Sequence, residues 1–370
     1  MWDKLLGLRL ARRRRAGAPS GLLLISAGGL GDTVLFSLIF QRFKALALYG
    51  EGVSLLLRKD AAKMSFLFGN DIIIQAIDFD LLRSSRAYRR QTFLELFDEN
   101  YRAVISVDHL RHPLLDESLL RACFAAENMA MEARSWPKYD GALARNRRLF
   151  SRLFHSGPDR LDKVLRWTRF ADWLGGTAQP PPTVRLPAEL LPPPASLDAP
   201  TLILMPFSAV WEKQSPPSLY GQIIDALGAE TMVMIAGAPD DMAHNPEFDP
   251  LLQRSNVSFC GLGFKELVPI LRAARLVVSV DTAGMHLAVA LGAATLCLAS
   301  NAYAGEIVPY APEISPSNGH FIMREMDCAG CLGHCIHEAE NGMYPCVAGL
   351  SSDEVVATVQ ALWQEAGDAA

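Results

Sequence analysis

Residues 22–33 read LLLISAGGLGDT: a short apolar run, then three glycines within four positions, then an acid and a threonine. An unbroken apolar run that stops at a glycine loop and resumes as a helical pattern is a strand buried on both faces that feeds a helix. The same order repeats outward from it. Leu22–Ala27, Val53–Leu57, Ile72–Ile77 and Ala103–Val107 are the strands expected in the first half. Thr33–Leu48, Asp60–Phe68 and Ala87–Asn100 are the helices between and around them, and Asp116–Arg134 and Arg145–Leu174 read as longer helical segments. Alternating strands and helices predict an α/β fold with a parallel sheet.

The composition then shifts. Eight of the 23 prolines lie between Gly175 and Pro200, where they break helices and central strands and make a semi-rigid connector. Beyond it the pattern restarts, with strands expected at Thr201–Met205, Thr231–Ala236, Leu276–Val280 and Ala294–Ala299. Helices are expected at Pro217–Leu227, Lys265–Ala274, Gly284–Leu291 and Ser352–Trp363. The predicted organisation is a first Rossmann-like domain over 1–175, whose residues 1–20 form a basic segment, and a linker over 176–200. A second Rossmann-like domain covers 201–350 with a cysteine-rich tail at 326–346, and a closing helix at 351–370 is placed where it can pack back on the first domain. Two such domains are expected to face one another across a cleft, with ligands at the carboxyl ends of the strands.

Bulk properties narrow the function. A chain of 370 residues fits two domains, and 50% hydrophobic with 20% charged residues is a globular balance. The net charge of -5 gives no global reason to bind nucleic acid. Seven cysteines in a chain of this size do not make a disulfide-stapled secreted domain. No apolar run reaches the roughly 18 residues needed to span a bilayer, and the N-terminus lacks the pattern of a secretory signal. The expected location is the cytoplasm, with peripheral contact to the inner membrane through Met1–Arg15, MWDKLLGLRLARRRR. That segment sets leucines and a tryptophan beside a four-arginine run, which suits an anionic leaflet; a solvated tail is the equal alternative.

Three strand-to-helix loops carry chemistry. In the first, Gly29 and Gly31 leave room for a substrate near the helix start, and Asp32 supplies a carboxylate able to take a proton from an attacking hydroxyl. The dinucleotide pattern G-x-G-x-x-G fails, because counting from Gly29 the third glycine position is Val34. The plain alternative for Asp32 is a helix cap. In the second loop, Pro206–Lys213, Ser208 and Lys213 are candidate diphosphate contacts, although Lys213 alone would pass for a surface lysine. In the third, Asp281, Thr282 and Gly284 stand at the mouth of a small-residue helix whose free N–H groups favour an anion, and His286 lies within its first turn. Asp108, His109, Arg111 and His112 follow the fourth strand and are candidates for holding an anionic or polyhydroxyl acceptor.

Leu24–Leu46, LISAGGLGDTVLFSLIFQRFKAL, resembles the opening of the bacterial heptosyltransferase family (glycosyltransferase family 9), whose loop ends in Gly-Asp. Asp281–Leu291, DTAGMHLAVAL, resembles that family's Asp-Thr-Gly-x-x-His-Leu-Ala-Ala-Ala-Leu motif, with Ala283 where the family has glycine. The segment around Trp211 and Lys213 is similar to its tryptophan-lysine loop more loosely. The resemblance implies a GT-B fold and inverting transfer from a nucleoside-diphosphate sugar, expected to be ADP-heptose, to a lipopolysaccharide-core or related glycan, with no cofactor required for catalysis. It makes Asp32 the general base, Ser208 and Lys213 the diphosphate contacts, and Asp281, Thr282 and His286 donor-site residues. The residues leave open a UDP- or GDP-sugar donor, an epimerase, and a catalytically silent nucleotide-sugar-binding member.

Four cysteines, Cys328, Cys331, Cys335 and Cys346, fall in the tail with His334 and His337 among them. Their spacing suits a tetrahedral sulfur site for structural zinc or iron, closed to catalysis, with free thiols as the alternative. Cys123, Cys260 and Cys297 read as core cysteines.

Overall fold

The strands expected in the first half pair in one parallel sheet. The computed structural model describes residues 7, 10–15 and 17–368. β1 (Leu22–Ser26) lies between β2 (Val53–Arg58) and β4 (Ala103–Ser106), and β3 (Ile73–Ile77) extends the sheet beyond β2. Every residue of β1 is buried, as an unbroken apolar run sandwiched between helices requires. Two further strands, β5 (Glu127–Met131) and β6 (Arg152–Phe154), continue the sheet beyond β4 where long helices were expected. Glu127–Met131 is ENMAM, a helix-favouring composition that becomes a strand by pairing with β4, so tertiary context overrides local propensity.

The helices of this unit are shorter than the sequence suggests. α1 (Leu30–Ser37) follows β1, α2 (Phe79–Ser84) and α3 (Arg86–Asp98) follow β3, and α4 (Asp116–Cys123) follows β4. α5 (Lys163–Gly175) is shared: residues 160–165 group with the second unit, while 166–180 return to the first. Leu23, Ile25, Leu56, Phe93, Leu96 and Val104 are among the residues that pack in the first core.

The second sheet comprises β7 (Thr201–Met205), β8 (Met232–Ala236), β9 (Val257–Cys260), β10 (Leu276–Val280), β11 (Thr295–Leu298) and β12 (Gly319–Ile322), all parallel. β9 and β12 are additions to the expected set. Counted from the start of each unit, both sheets have the strand order 3-2-1-4-5-6. In each, the order reverses between the first and fourth strands, and such a point leaves a crevice at the strands' carboxyl ends. α6 (Pro217–Leu227), α7 (Ala283–Leu291) and α8 (Ser352–Asp368) belong to this unit.

Three expectations need correction. The unit boundary, at Pro180–Pro181, falls inside the proline-rich stretch, but that stretch is not a bare connector. Val184 and Leu186 are buried, and their N–H groups donate to Ile314 O at 2.9 Å and Ala290 O at 2.7 Å within the second unit. The closing helix α8, expected to pack back on the first domain, groups with the second unit, where its apolar stripe of Val355, Val359 and Leu362 is buried in the core. The basic N-terminal run is partly committed to the first unit. Arg13 pairs with Asp98 at 3.0 Å, and Arg15 donates to Cys123 O at 2.9 Å and Phe124 O at 3.0 Å. Leu10 is buried in the first core, whereas Trp2, Lys4, Leu5, Leu6, Leu8 and Arg9 lie outside the described residues. Among the described residues no helix is long and apolar enough to cross a membrane.

Candidate active site

Each unit places its sequence-predicted residues at its own switch point. In the first, β1 ends at Ser26 and the glycine loop delivers Asp32 to the first turn of α1. Gly29 is the N-cap, and Asp32 reaches back so that its Oδ2 accepts the Gly29 N–H at 2.9 Å. Asp32 is therefore the N3 partner of a capping box and not the N-cap of the plain reading, and it is half-buried. Gly28, which sequence reasoning passed over, is the sterically demanding glycine: a Cβ there would lie 2.6 Å from both Cβ and Oδ2 of Asp32. Gly29 faces open space by the same criterion, and Gly31 lies within α1.

The loop after β4 is tied to that glycine loop. Asp108 is buried, and its Oδ2 accepts the Ala27 N–H at 2.6 Å. His109 is half-buried, and its carbonyl accepts the Arg134 N–H at 2.9 Å. Arg111 does not extend toward an acceptor as expected. It is buried, with Nε donating to Glu117 at 3.2 Å and Nη1 to the carbonyls of Asp108 at 3.1 Å and Met131 at 2.6 Å. Burial lowers its pKa against the pull of Glu117, and the pair acts as an internal brace between β4, β5 and α4. His112 lies against Trp136 and Tyr139, with ring centroids at 5.7 Å and 4.4 Å. Burial and then the cations Arg83, Lys138 and Arg89 lower its pKa. Beneath it, burial pushes the Asp116 carboxyl up to about 7, although its Oδ2 accepts the His112 N–H at 2.9 Å.

In the second unit, residues 68 positions apart meet. Lys213, at the end of the loop after β7, donates from Nζ to Asp281 Oδ2 at 2.8 Å, and both side chains are buried. The Lys213 ammonium also lies 4.5 Å from the ring centroid of Tyr303. It is no surface lysine. Asp281 follows β10, and Thr282 is the N-cap of α7. The Thr282 hydroxyl makes no cap bond and lies 3.4 Å from Ser279 Oγ, so the N-cap side chain leaves the first N–H groups of α7 uncapped. Gly284 answers to packing: a Cβ there would lie 2.2 Å from Cε of Met205 at the end of β7. His286 is buried, with Nδ1 2.7 Å from the hydroxyl of Tyr310, whose pKa burial raises well above its usual range. Ser208 is half-buried, and its Oγ accepts the Val210 N–H at 3.1 Å.

The cysteine-rich tail leans on this same site. Gly330 N–H donates to Asn301 O and Leu332 N–H to Ala302 O, both at 2.8 Å, and Asn301 N–H points to Cys346 Sγ at 3.4 Å. Tyr344 N–H donates to Glu212 O at 2.9 Å. The tail thus holds the short turn carrying Tyr303 and the residue preceding Lys213. Cys328 and Cys335 bring their sulfurs to 4.0 Å, near the separation of two thiolates that share one tetrahedral metal at about 2.3 Å each. Burial and the neighbouring thiols of Cys335, Cys331 and Cys346 push the Cys328 thiol up to about 11, which a cation would reverse. Among the described residues, ligand atoms of Asp327, Cys328 and His337 also lie within 4.8 Å of one another, and His337 Nε2 is 2.7 Å from Asp327 Oδ1. Sequence reasoning missed Tyr303, Tyr310 and Glu117, which carry no motif and are recruited only by the strand order.

The family model described as glycosyltransferase family 9 (heptosyltransferase) matches residues 132–329. Among solved structures, the chain is similar to the glycosyl transferase family 9 protein of Veillonella parvula, at 13% identity over 95% of this chain and 100% of that one, with a TM-score of 0.69. It is similar to the E. coli heptosyltransferase WaaC with ADP-2-deoxy-2-fluoro heptose, at 14% identity over 94% and 99%, with a TM-score of 0.64. It is also similar to the dodecameric iron-containing heptosyltransferase TibC in complex with ADP-D-beta-D-heptose, at 14% identity over 94% and 78%, with a TM-score of 0.52. No curated protein matches the chain. At these identities the structural likeness establishes the fold, which is GT-B-like as in WaaC.

Proposed function

The chain belongs to glycosyltransferase family 9, and from that membership we propose that it transfers heptose from ADP-heptose, with inversion, to a lipopolysaccharide-core or related glycan acceptor. The observation that carries this reading is the buried Lys213–Asp281 pair beside the uncapped start of α7. A helix start with free N–H groups and an adjacent ammonium is a ready site for a diphosphate. As the bond between the anomeric carbon and the diphosphate breaks, negative charge builds on the leaving oxygen. Lys213 and the α7 N–H groups offset it, so the transfer needs no catalytic metal. Asp281, Thr282, Gly284 and His286 shape that donor site, and Ser208 lines its approach.

Asp32 is the proposed base. An acceptor hydroxyl becomes an effective nucleophile when a carboxylate takes its proton in the transition state. Asp32 is oriented for this by its bond to Gly29 N–H and by the Asp108 clasp on Ala27. Gly29, Gly31, Asp108 and His109 form the proposed acceptor side, and Arg111 serves as a brace behind it. Both ADP-bound relatives carry heptose on their donors, which supports ADP-heptose over UDP or GDP sugars.

TibC is described as iron-containing, and the sulfur-rich donor set here suits iron or zinc. Cys328, Cys331, Cys335 and Cys346 are the proposed ligands, and the bound metal supplies rigidity to the tail. The test of the whole reading is a thermal-shift series with ADP, UDP, GDP, CMP and their sugars, followed by transfer assays with the stabilising donor. Selective stabilisation by ADP and ADP-heptose is expected, because a ligand that binds only the folded state raises its stability. Stabilisation by UDP or GDP alone overturns the donor, and none by any nucleotide overturns the enzyme reading.

A further inference from the structure

From Leu81 to Leu94 the chain carries four arginines and no acid, although its net charge is -5. The fold gathers this segment with two loops of the first unit into one face, and Arg89 is the clasp. Its Nη1 donates to Leu82 O at 3.1 Å and its Nη2 to Leu114 O at 2.9 Å, which joins α2, α3 and the loop after β4. The Leu114 N–H donates to His112 Nδ1 at 3.1 Å, and the His112 ring meets Tyr139, over which Lys138 lies. Within these segments three leucines stand in solvent: Leu81 is 44% exposed, Leu110 46% and Leu114 56%. Arg83, Arg86, Arg90 and Lys138 are exposed in the same segments. Burial is the main cause of the lowered pKa of His112, and Arg83, Lys138 and Arg89 lower it further. Asp80 and Glu95 are exposed acids at the two ends of this stretch.

We propose that this face docks the first unit on an anionic phospholipid surface. Leucines flanked by long basic side chains match a bilayer interface, where the apolar groups enter the acyl boundary and the cations meet headgroups. A soluble polyanion would use the arginines and leave the leucines idle. Of the described residues in the N-terminal run, Arg13 and Arg15 are already engaged with Asp98 and with the carbonyls of Cys123 and Phe124. Binding here does not depend on which sugar the chain transfers.

The test is co-sedimentation of the full chain with phosphatidylglycerol–phosphatidylcholine vesicles and with phosphatidylcholine alone. Binding to the anionic vesicles only is expected, weakening with added salt. Arg86→Gln and Arg90→Gln should each lower the partition coefficient about fivefold, the factor for one basic side chain near an anionic leaflet. Leu81→Ser with Leu114→Ser should lower it further at constant charge, and Arg12→Gln with Arg14→Gln should leave most of the binding. Three results overturn the assignment: no binding to anionic vesicles, binding untouched by the Arg86 and Arg90 changes, or binding abolished by Arg12 and Arg14 alone. Insensitivity to the leucine changes, together with competition by a soluble polyanion, would overturn it in favour of a soluble anionic partner.

Discussion

Gly28 lacks a side chain where the Asp32 carboxylate folds back, and that sets up a clean experiment. Gly28→Ala would push a methyl to 2.6 Å from Asp32 Oδ2 and force the carboxylate off the Gly29 N–H. Transfer should fall with Gly28→Ala while ADP affinity, measured by calorimetry, stays unchanged. Asp32→Asn should lower kcat about 10²–10⁴-fold, the usual contribution of a general base. At Lys213 the expectation differs. Lys213→Met leaves Asp281 buried without its cation, a change that typically costs about 3–5 kcal/mol. The variant should therefore melt lower and lose ADP binding, and Lys213→Met with Asp281→Asn should recover stability without recovering ADP binding. Asp281 is legible in the sequence because it ends an apolar run, and Asp32 because it closes a glycine loop, whereas Lys213 is reached only through the family resemblance. Gly28, Glu117 and Tyr303 are not, because their roles depend on which strands become neighbours.

At the scale of elements the same distinction holds. β1, β7 and β10 are plain in the letters because both of their faces are buried and the apolar run is unbroken. β5 and β6 lie toward the sheet edge, partly exposed, and their letters favour helix or carry too few residues to show a period. The proline-rich stretch is legible as a boundary but not as a packed one, since proline's shape says nothing of the carbonyls it will lie beside. The cysteine tail is legible as a cluster; that it braces the Tyr303 turn and the Lys213 loop is visible only in the fold. Removing a bound metal, by a chelator or by Cys328→Ser with Cys335→Ser, should loosen that brace. The expected result is a lower Tm, loss of iron or zinc by elemental analysis, and weaker ADP binding with the Asp32 half unaffected.

Across the whole molecule, two carboxyls, one half-buried and one buried, give stability opposite slopes with pH. Glu51 takes both Nε and Nη2 of Arg102, at 2.6 and 2.8 Å, and that pairing lowers its pKa from 4.5 to about 2. A depressed folded pKa adds stability above the unfolded value, and that stability is lost as pH falls from about 4.5 to about 2. Asp116 has the reverse sign. Burial raises it from 3.8 to about 7, so the folded state binds the extra proton and stability declines as pH rises through that window. Taken together, these two groups place the greatest stability at about pH 4, where the gain from Glu51 and the loss from Asp116 cancel, and denaturant titrations should show it there. Asp116→Asn, which keeps an acceptor for the His112 N–H, should flatten the decline toward neutrality. An unchanged slope would mean that Asp116 is ionised in the folded protein.

The repeated strand order also governs how the chain can mature as it is made. The pair at the centre of the first sheet joins Leu22 to Ala103, and the corresponding pair of the second joins Leu202 to Leu276. Contacts so distant in sequence form slowly, and neither sheet can close while its fourth strand is still inside the ribosome. The first unit waits longer still, because its last piece, residues 166–180, emerges only after residues 160–165, which group with the second. During synthesis the Asp32 loop is therefore without the Asp108 clasp until well over a hundred residues have been joined. Through that interval the apolar β1 run is open to chaperones, and a ribosome stall before β4 would leave it exposed to aggregation.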